Sequence, residues 1–302
     1  MLTIVVQKAR SPEKMPATNP FHAMVSGYAE LLRAAAEIPP GGLAPRERPR
    51  IAADAPKALI FSPHPDDECL TGGLPLRLLR ELKMNVVNVA VTQGSRRDRR
   101  AERWRELKAA CDHLGFGLVP TVEGGLEKID LASHAREPEA WAASVEVIAG
   151  ILAEHAPEIV LMPHEGDWHP THIGTHHLVI DALSRMPPDF SCQVVETEFW
   201  GAMATPNLLV ESSVHDVADL VAALSLHRGE VQRNPFHLRL PAWMMDNVRR
   251  GAELVQGRGE AAPAFTFATL YRLRRWTGGR LEDLPERGRL IACGDDLGPL
   301  LA

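Results

Sequence analysis

Four short apolar runs, ALIF at 58–61, NVVNVAVT at 85–92, EIVLMP at 158–163 and QVVETEFW at 193–200, are separated by longer segments in which apolar residues recur at helical spacing. Largely apolar runs of this length read as strands of a sheet covered on both faces. Strands that alternate with helices are joined by right-handed crossovers into a parallel sheet. The pattern predicts an α/β fold, a Rossmann-like three-layer sandwich with a mainly parallel sheet. Helices are expected over about 67–82, 97–114, 138–155, 173–186, 214–228 and 241–255, with a late strand in FTFATLYRL at 265–273.

Upstream of this pattern, FHAMVSGYAELLRAAAEI at 21–38 has the spacing of one amphipathic helix. The following PPGGLAPRERPR at 39–50 cannot continue it, because proline lacks the amide donor and the glycines favour turns. The expected organisation is an N-terminal extension, 1–50, and a main domain, 51–302. The extension helix is expected to cover an exposed face or a subunit interface, and homo-oligomerisation is otherwise left open.

Of the 302 residues, 45% are hydrophobic, enough for one large core, and the net charge of −6 provides no global attraction to nucleic acid or to an anionic membrane. A local exception is RRDRRAERWR at 96–105, six arginines in ten residues, and a charge run of this kind is ordinarily a solvated helix face. The four cysteines, Cys69, Cys111, Cys192 and Cys293, are far apart and form no CxxC pair, which fits a reducing compartment. The apolar run at the N-terminus is too short for a secretory core or a membrane span. A cytoplasmic protein acting on a small molecule, with no nucleic-acid or membrane partner, is expected. No GxGxxG or GxxxxGK[ST] follows an expected strand, so a Rossmann-type nucleotide binder lacks support.

The chemistry concentrates at two strand ends. Ligands of an open parallel sheet bind beyond the carboxyl ends of its strands. ALIFSPHPDDE places His64, Asp66, Asp67 and Glu68 there, at the start of a helix. Carboxylates at a helix N-terminus also serve as caps, but one would suffice for that. Histidine nitrogen and carboxylate oxygen are both zinc ligands, and a further carboxylate can act as base toward a metal-bound water. After the EIVLMP strand, HEGDWHPTHIGTHH supplies His164, Glu165, Asp167, His169, His172, His176 and His177, five of the chain's 13 histidines in fourteen residues. On a helix beginning near Pro170, His172 and His176 share a face. A solvated histidine-rich loop would explain this run alone, but not two metal-capable loops at two strand ends of one sheet.

PHPDDE at 63–68 and HPTHIGTH at 169–176 resemble the signatures (A/P)HPDDE and HPDHxxxH of the PIG-L/LmbE-like family of zinc-dependent deacetylases. The resemblance runs from about residue 55 to about residue 275 and includes VTQGS and the helix ending in LGF. It implies hydrolysis of the acetyl amide of an N-acetylglucosamine-type sugar or conjugate, giving acetate and a free amine. Position by position, it makes His64, Asp67 and His172 the zinc ligands and Asp66 the general base. His169 would stabilise the oxyanion or protonate the departing amine, while Arg103 and Glu123 would contact the sugar. Glu68, Asp167, Thr171 and His176 fall around these as supporting residues. The cofactor implied is Zn2+, although a His/Asp/His set also suits Fe2+. Other readings are a metal-dependent amidase on a different N-acyl substrate, or a non-catalytic metal-containing carbohydrate-binding protein.

The sequence departs from the family at Thr171, where HPDH has aspartate. A carboxylate there would favour the charged form of His169, whereas a hydroxyl can only hydrogen-bond. His169 is therefore expected to titrate lower than in an HPDH protein unless Asp167 or Glu165 supplies the charge. Among other residues, His227 is expected to be a partly exposed structural histidine, Trp168 a rim or packing residue, Trp200 and Trp243 core residues, and Cys69 a small buried hydrophobe.

Overall fold

The computed structural model describes residues 19–44, 48–284 and 288–300. The chain divides into two units between Pro39 and Pro40. In the first, α1 (His22–Ala36) follows the helical spacing of its apolar residues, and Met24, Val25, Tyr28 and Leu31 on it are exposed.

In the second unit, β1 (Lys57–Ser62), β2 (Asn85–Ala90), β3 (Gly117–Pro120), β4 (Ile159–Pro163) and β5 (Cys192–Thr197) pair in parallel in the order β3-β2-β1-β4-β5. The sheet continues with antiparallel partners. Its further strands are β6 (Leu208–Glu211), β7 (Ala268–Thr277), β8 (Arg280–Asp283) and β9 (Arg289–Ile291). Of these, β7 runs antiparallel to β5, β6 and β8, and β9 lies parallel to β6. The expected Rossmann-like sandwich with a mainly parallel sheet is what forms.

The helices are α2 (Asp67–Leu70), α3 (Leu74–Arg80), α4 (Arg100–Leu114), α5 (Leu131–Arg136), α6 (Pro138–His155), α7 (Pro170–Leu183), α8 (Val214–Ser225), α9 (Arg228–Arg233) and α10 (Leu240–Gly251). They cover both faces. Side chains alternate across a strand, so β1 sends Ala58 and Ile60 into one core with α3, α4, α8 and α10, and Leu59 and Phe61 into another with α6 and α7. Near-continuous burial along β1, β2, β4 and β5 is what made those four runs legible.

The helix expected over 67–82 is in fact two, interrupted at Thr71, Gly72 and Gly73. Gly72 has φ +81°, and a β-carbon there would press on Thr269 and lie 2.6 Å from the Tyr271 hydroxyl. That hydroxyl bridges the break, donating to the Thr71 carbonyl at 2.6 Å and accepting from the Leu74 amide at 3.3 Å. The strands β3, β6, β8 and β9 and the helix α5 escape the sequence pattern because each is short, and β3 and β8 bury no residue fully.

Candidate metal centre

Strand order reverses between β1 and β4: the chain moves outward through β2 and β3 on one side and to β5 on the other. Such a switch point leaves a crevice beyond the strand ends, because the connecting segments diverge there. Both motifs leave β1 and β4 into this crevice.

After β1 the backbone turns sharply. Asp66 adopts φ 116°, ψ −26°, a conformation that costs a non-glycine residue roughly 1–3 kcal/mol. Two side chains hold the turn. The Asp67 Oδ2 accepts the His64 amide at 2.8 Å, and Glu68 Oε2 accepts the Asp66 amide at 2.9 Å. After β4, Asp167 organises the second loop by accepting the amides of His169 at 2.9 Å, Trp200 at 3.1 Å and Gly201 at 3.3 Å.

These turns bring three potential ligand atoms together. His64 Nδ1 lies 3.3 Å from His172 Nε2 and 3.4 Å from Asp67 Oδ2, and His172 Nε2 lies 3.3 Å from the same Asp67 oxygen. A tetrahedral ion with ligand bonds of 2.0–2.1 Å requires ligand-to-ligand edges of roughly 3.3–3.4 Å. The donor set and its spacing therefore fit a divalent metal such as zinc without rearrangement. His169 faces the same point, and ligand atoms of His64, His169 and His172 lie within 4.8 Å of one another.

The electrostatics match. Burial would lower the His172 pKa, but the carboxylates of Asp67 and Asp167 on either side of the ring raise it to about 10. Asp167 sits 3.5 Å from His172 Nδ1, the nitrogen turned away from the triangle. A carboxylate in that position fixes the ring and strengthens the other nitrogen as a ligand. Burial opposes ionisation of Asp67, but the two histidines hold it well below the usual carboxylate range.

His169 is exposed, and its Nδ1 accepts the Thr171 amide at 3.2 Å. An accepting Nδ1 carries no proton, so the hydrogen bond favours the neutral ring. Burial of part of the ring, then the charges of His64 and His172, push its pKa down, with Asp67 and Asp167 acting weakly against them. Asp167 does not take the place of the missing aspartate, because its oxygens are spent on backbone amides and on His172.

Beneath the loop lies a second cluster. Glu68, which holds the Asp66 amide with one oxygen, accepts from His227 Nε2 at 2.6 Å and from the Cys69 thiol at 3.2 Å with the other. All three residues are buried. His227 is thus not the partly exposed residue expected from the sequence, because the segment between α8 and α9 folds it under the motif. Burial and the Asp67 charge push the Asp66 carboxyl well above the usual carboxylate range, with His227 and Arg103 opposing.

Arg103 is not part of a solvated face. It donates to the Pro65 carbonyl at 3.0 Å and lies 3.8 Å from Glu230. Its neighbours in the arginine run are paired as well: Arg96 with Asp98, Arg97 and Arg100 with Glu127, and Arg99 with Glu230. Glu123 is exposed, and no contact joins it to the cluster among the described residues. His176 points away from the triangle, with Nδ1 3.0 Å from the Pro163 carbonyl and 3.6 Å from Glu196. Cys69 is buried, as expected.

Of the two tryptophans expected in the core, Trp243 packs against it while Trp200 does not. Trp200 is 47% exposed, and Trp243, half-buried, lines a pocket beside the centre together with Trp168 and Trp200. Phe199 lines the same pocket and sets its ring edge-on to His172, with centroids 4.9 Å apart. Phe199, Glu230 and the pocket residues of 236–250 carry no motif and reach the centre through folding alone.

Residues 59–183 match the family model of GlcNAc-PI de-N-acetylase, PIG-L. A comparison with curated proteins found no match. Solved structures share the fold at low identity. A conserved protein, TT1542, from Thermus thermophilus is 21% identical, with TM-score 0.52, over 71% of this chain and 92% of its own. The N,N'-diacetylchitobiose deacetylase of Pyrococcus horikoshii is 17% identical, with TM-score 0.53, over 84% and 93%. GalB, a 4-carboxy-2-hydroxymuconate hydratase from Pseudomonas putida, is 17% identical, with TM-score 0.51, over 72% and 95%. At these identities the likeness is one of fold.

Proposed function

We propose, from the match of residues 59–183 to the PIG-L family model, that the chain is a zinc-dependent hydrolase of the PIG-L/LmbE-like deacetylase family that removes the acetyl group from an N-acetylglucosamine-type sugar or a conjugate of one. The observation that carries this reading is the triangle of His64, Asp67 and His172, whose edges match those a tetrahedral ion would need. Zinc bound there supplies a Lewis acid and lowers the pKa of a coordinated water.

The chain's own residues do the rest. His64, Asp67 and His172 hold the ion, and Asp167 holds His172 in register. Asp66, whose carboxyl burial and Asp67 hold above the usual carboxylate range, would take the proton of the attacking water. His169, with Nδ1 committed to the Thr171 amide, faces the centre with Nε2 as its remaining nitrogen. Its Nε2–H would stabilise the tetrahedral oxyanion, and the proton that Asp66 takes from the water passes to the departing amine. Arg103 braces the Pro65 carbonyl at the edge of the site and contacts the sugar.

The test is release of free amine from a panel of N-acetylglucosamine conjugates by the zinc-loaded protein, beside Asp66→Ala and chelator-treated controls. Release that disappears in both controls is expected. Stoichiometric zinc with no release from any conjugate would overturn the reading.

A further inference from the structure

Large aromatic rings are rarely left in water without a reason, because burying one contributes more than almost any other side chain can. Beside the metal triangle this chain leaves two. Trp168 is 76% exposed and Trp200 is 47% exposed. Both face a pocket of about 410 Å³, with Phe199, Phe236 and Trp243 completing an aromatic wall. A cavity of this size, apolar and open to solvent, has the dimensions of a small-molecule site.

The pocket adjoins the reacting centre. Phe199 forms part of its wall and packs edge-on against His172. Trp168 lies in sequence between Asp167 and His169, and Leu70 enters the lining from the helix of the first motif. A molecule with its acyl amide at the triangle would therefore send its remaining part along this wall.

The charges in the lining are unequally paired. Glu198 is neutralised by Arg250 through two 2.8 Å bonds, and Asp246 is paired with Arg249 at 2.8 Å. Arg239 lines the same pocket, is exposed, and has no ion-pair or hydrogen-bond partner for its side chain among the described residues. The lining thus offers aromatic surface and one uncompensated positive charge.

We infer that this aromatic pocket binds the non-reacting part of the substrate, and that this part is an apolar ring system carrying a carboxylate or similar anion that pairs with Arg239. The inference rests on the hydrolase reading for what the bound molecule undergoes, but not for its binding. It narrows the substrate class from N-acyl amino sugars in general to N-acyl conjugates with an anionic, ring-bearing portion. Aromatic rings stack on tryptophan in offset or edge-to-face geometry, and a guanidinium binds a carboxylate through paired N–H donors, so both parts of the ligand meet a matching surface.

The experiment is calorimetric titration of the zinc-loaded full chain in acetate buffer, which occupies any general carboxylate affinity of the metal. The probes are 2-naphthylacetate, the neutral 2-naphthylethanol and the neutral sugar N,N'-diacetylchitobiose. Saturable binding of the naphthylacetate is expected, tighter than the alcohol by about tenfold, a charge-assisted hydrogen bond's worth. Arg239→Gln should abolish that difference, leaving the alcohol unaffected, and Trp200→Ala should weaken both aromatic probes. Both substituted side chains are exposed, so the fold tolerates the changes. Equal affinity for acid and alcohol in the unaltered protein, tighter binding of the disaccharide, or no saturable aromatic binding would each overturn the inference. The expected binding pattern together with no amine release from any amide would instead overturn the hydrolase reading and leave the pocket assignment standing.

Discussion

Glu68 and His227 stand 159 positions apart in the chain, yet their side chains share a 2.6 Å hydrogen bond in the floor beneath the metal triangle, with both residues buried. Through its second oxygen Glu68 restrains the Asp66 amide in its left-handed turn, so a histidine from the α8–α9 junction supports the geometry of a motif at the end of β1.

Removing His227 leaves the buried Glu68 carboxylate with only the Asp66 amide and the Cys69 thiol as partners. His227→Leu is expected to lower stability by about 3–5 kcal/mol, the usual result of breaking a buried charged pair from one side. Urea denaturation reads the change, and an unshifted midpoint would show that Glu68 is neutral or solvated in the folded protein.

Metal binding should release a proton. The proton held on His172 by Asp67 and Asp167, with a pKa raised to about 10, must leave before Nε2 can ligate. At pH 8, release of about one proton per zinc ion is expected, because ligands bind in their deprotonated forms. Calorimetry in buffers of different ionisation enthalpy measures it, and zero release would mean that His172 is already neutral.

Without metal, the same group makes stability depend on pH. A histidine whose folded pKa is raised from 6.5 to about 10 binds more protons folded than unfolded between those values. Its contribution is complete below about pH 6.5 and is lost as pH rises through about 10. The melting temperature of the chelated protein should fall across that window more steeply than that of His172→Gln; parallel curves would contradict the assignment.

Thr171→Asp should restore a carboxylate beside the second-motif histidines. His169 is lowered by burial and by His64 and His172, and a nearby negative charge opposes all three. The limb of the pH dependence of kcat/KM that reports His169 is expected to move to higher pH. An unmoved limb would show that His169 does not titrate in the reaction.

Gly72 tests the break between α2 and α3. Its φ of +81° costs an alanine about 1–2 kcal/mol by itself, and the added methyl would also crowd Thr269 and Tyr271. Gly72→Ala should therefore destabilise by more than about 1 kcal/mol in a thermal or urea melt. Equal stability would mean that the helical segments can re-join.

Much of the architecture was written locally. β1, β2, β4 and β5 are buried on both faces and so required largely apolar runs; PHPDDE begins directly after β1, and HPTHIGTH follows β4 after the loop 164–168. The sequence singled out His64, Asp67 and His172 for a related reason: His64 and Asp67 lie just after β1, and His172 lies in the first turn of the helix that follows β4.

What the sequence could not determine is everything that depends on which distant side chain fills a given space. His227, Phe199 and Glu230 look ordinary in sequence, and become parts of the centre because α8, α9 and the end of β5 pack over the first motif. Trp200 read as a core residue, yet it is exposed and forms part of a wall open to solvent. The arginine run read as a solvated face, but Arg103 is drawn inward to Pro65 by a carbonyl that local spacing could not place. Strand ends and their motifs follow from local periodicity and backbone stereochemistry, whereas partners more than a hundred residues apart are chosen only when the sheet and its two covering layers close.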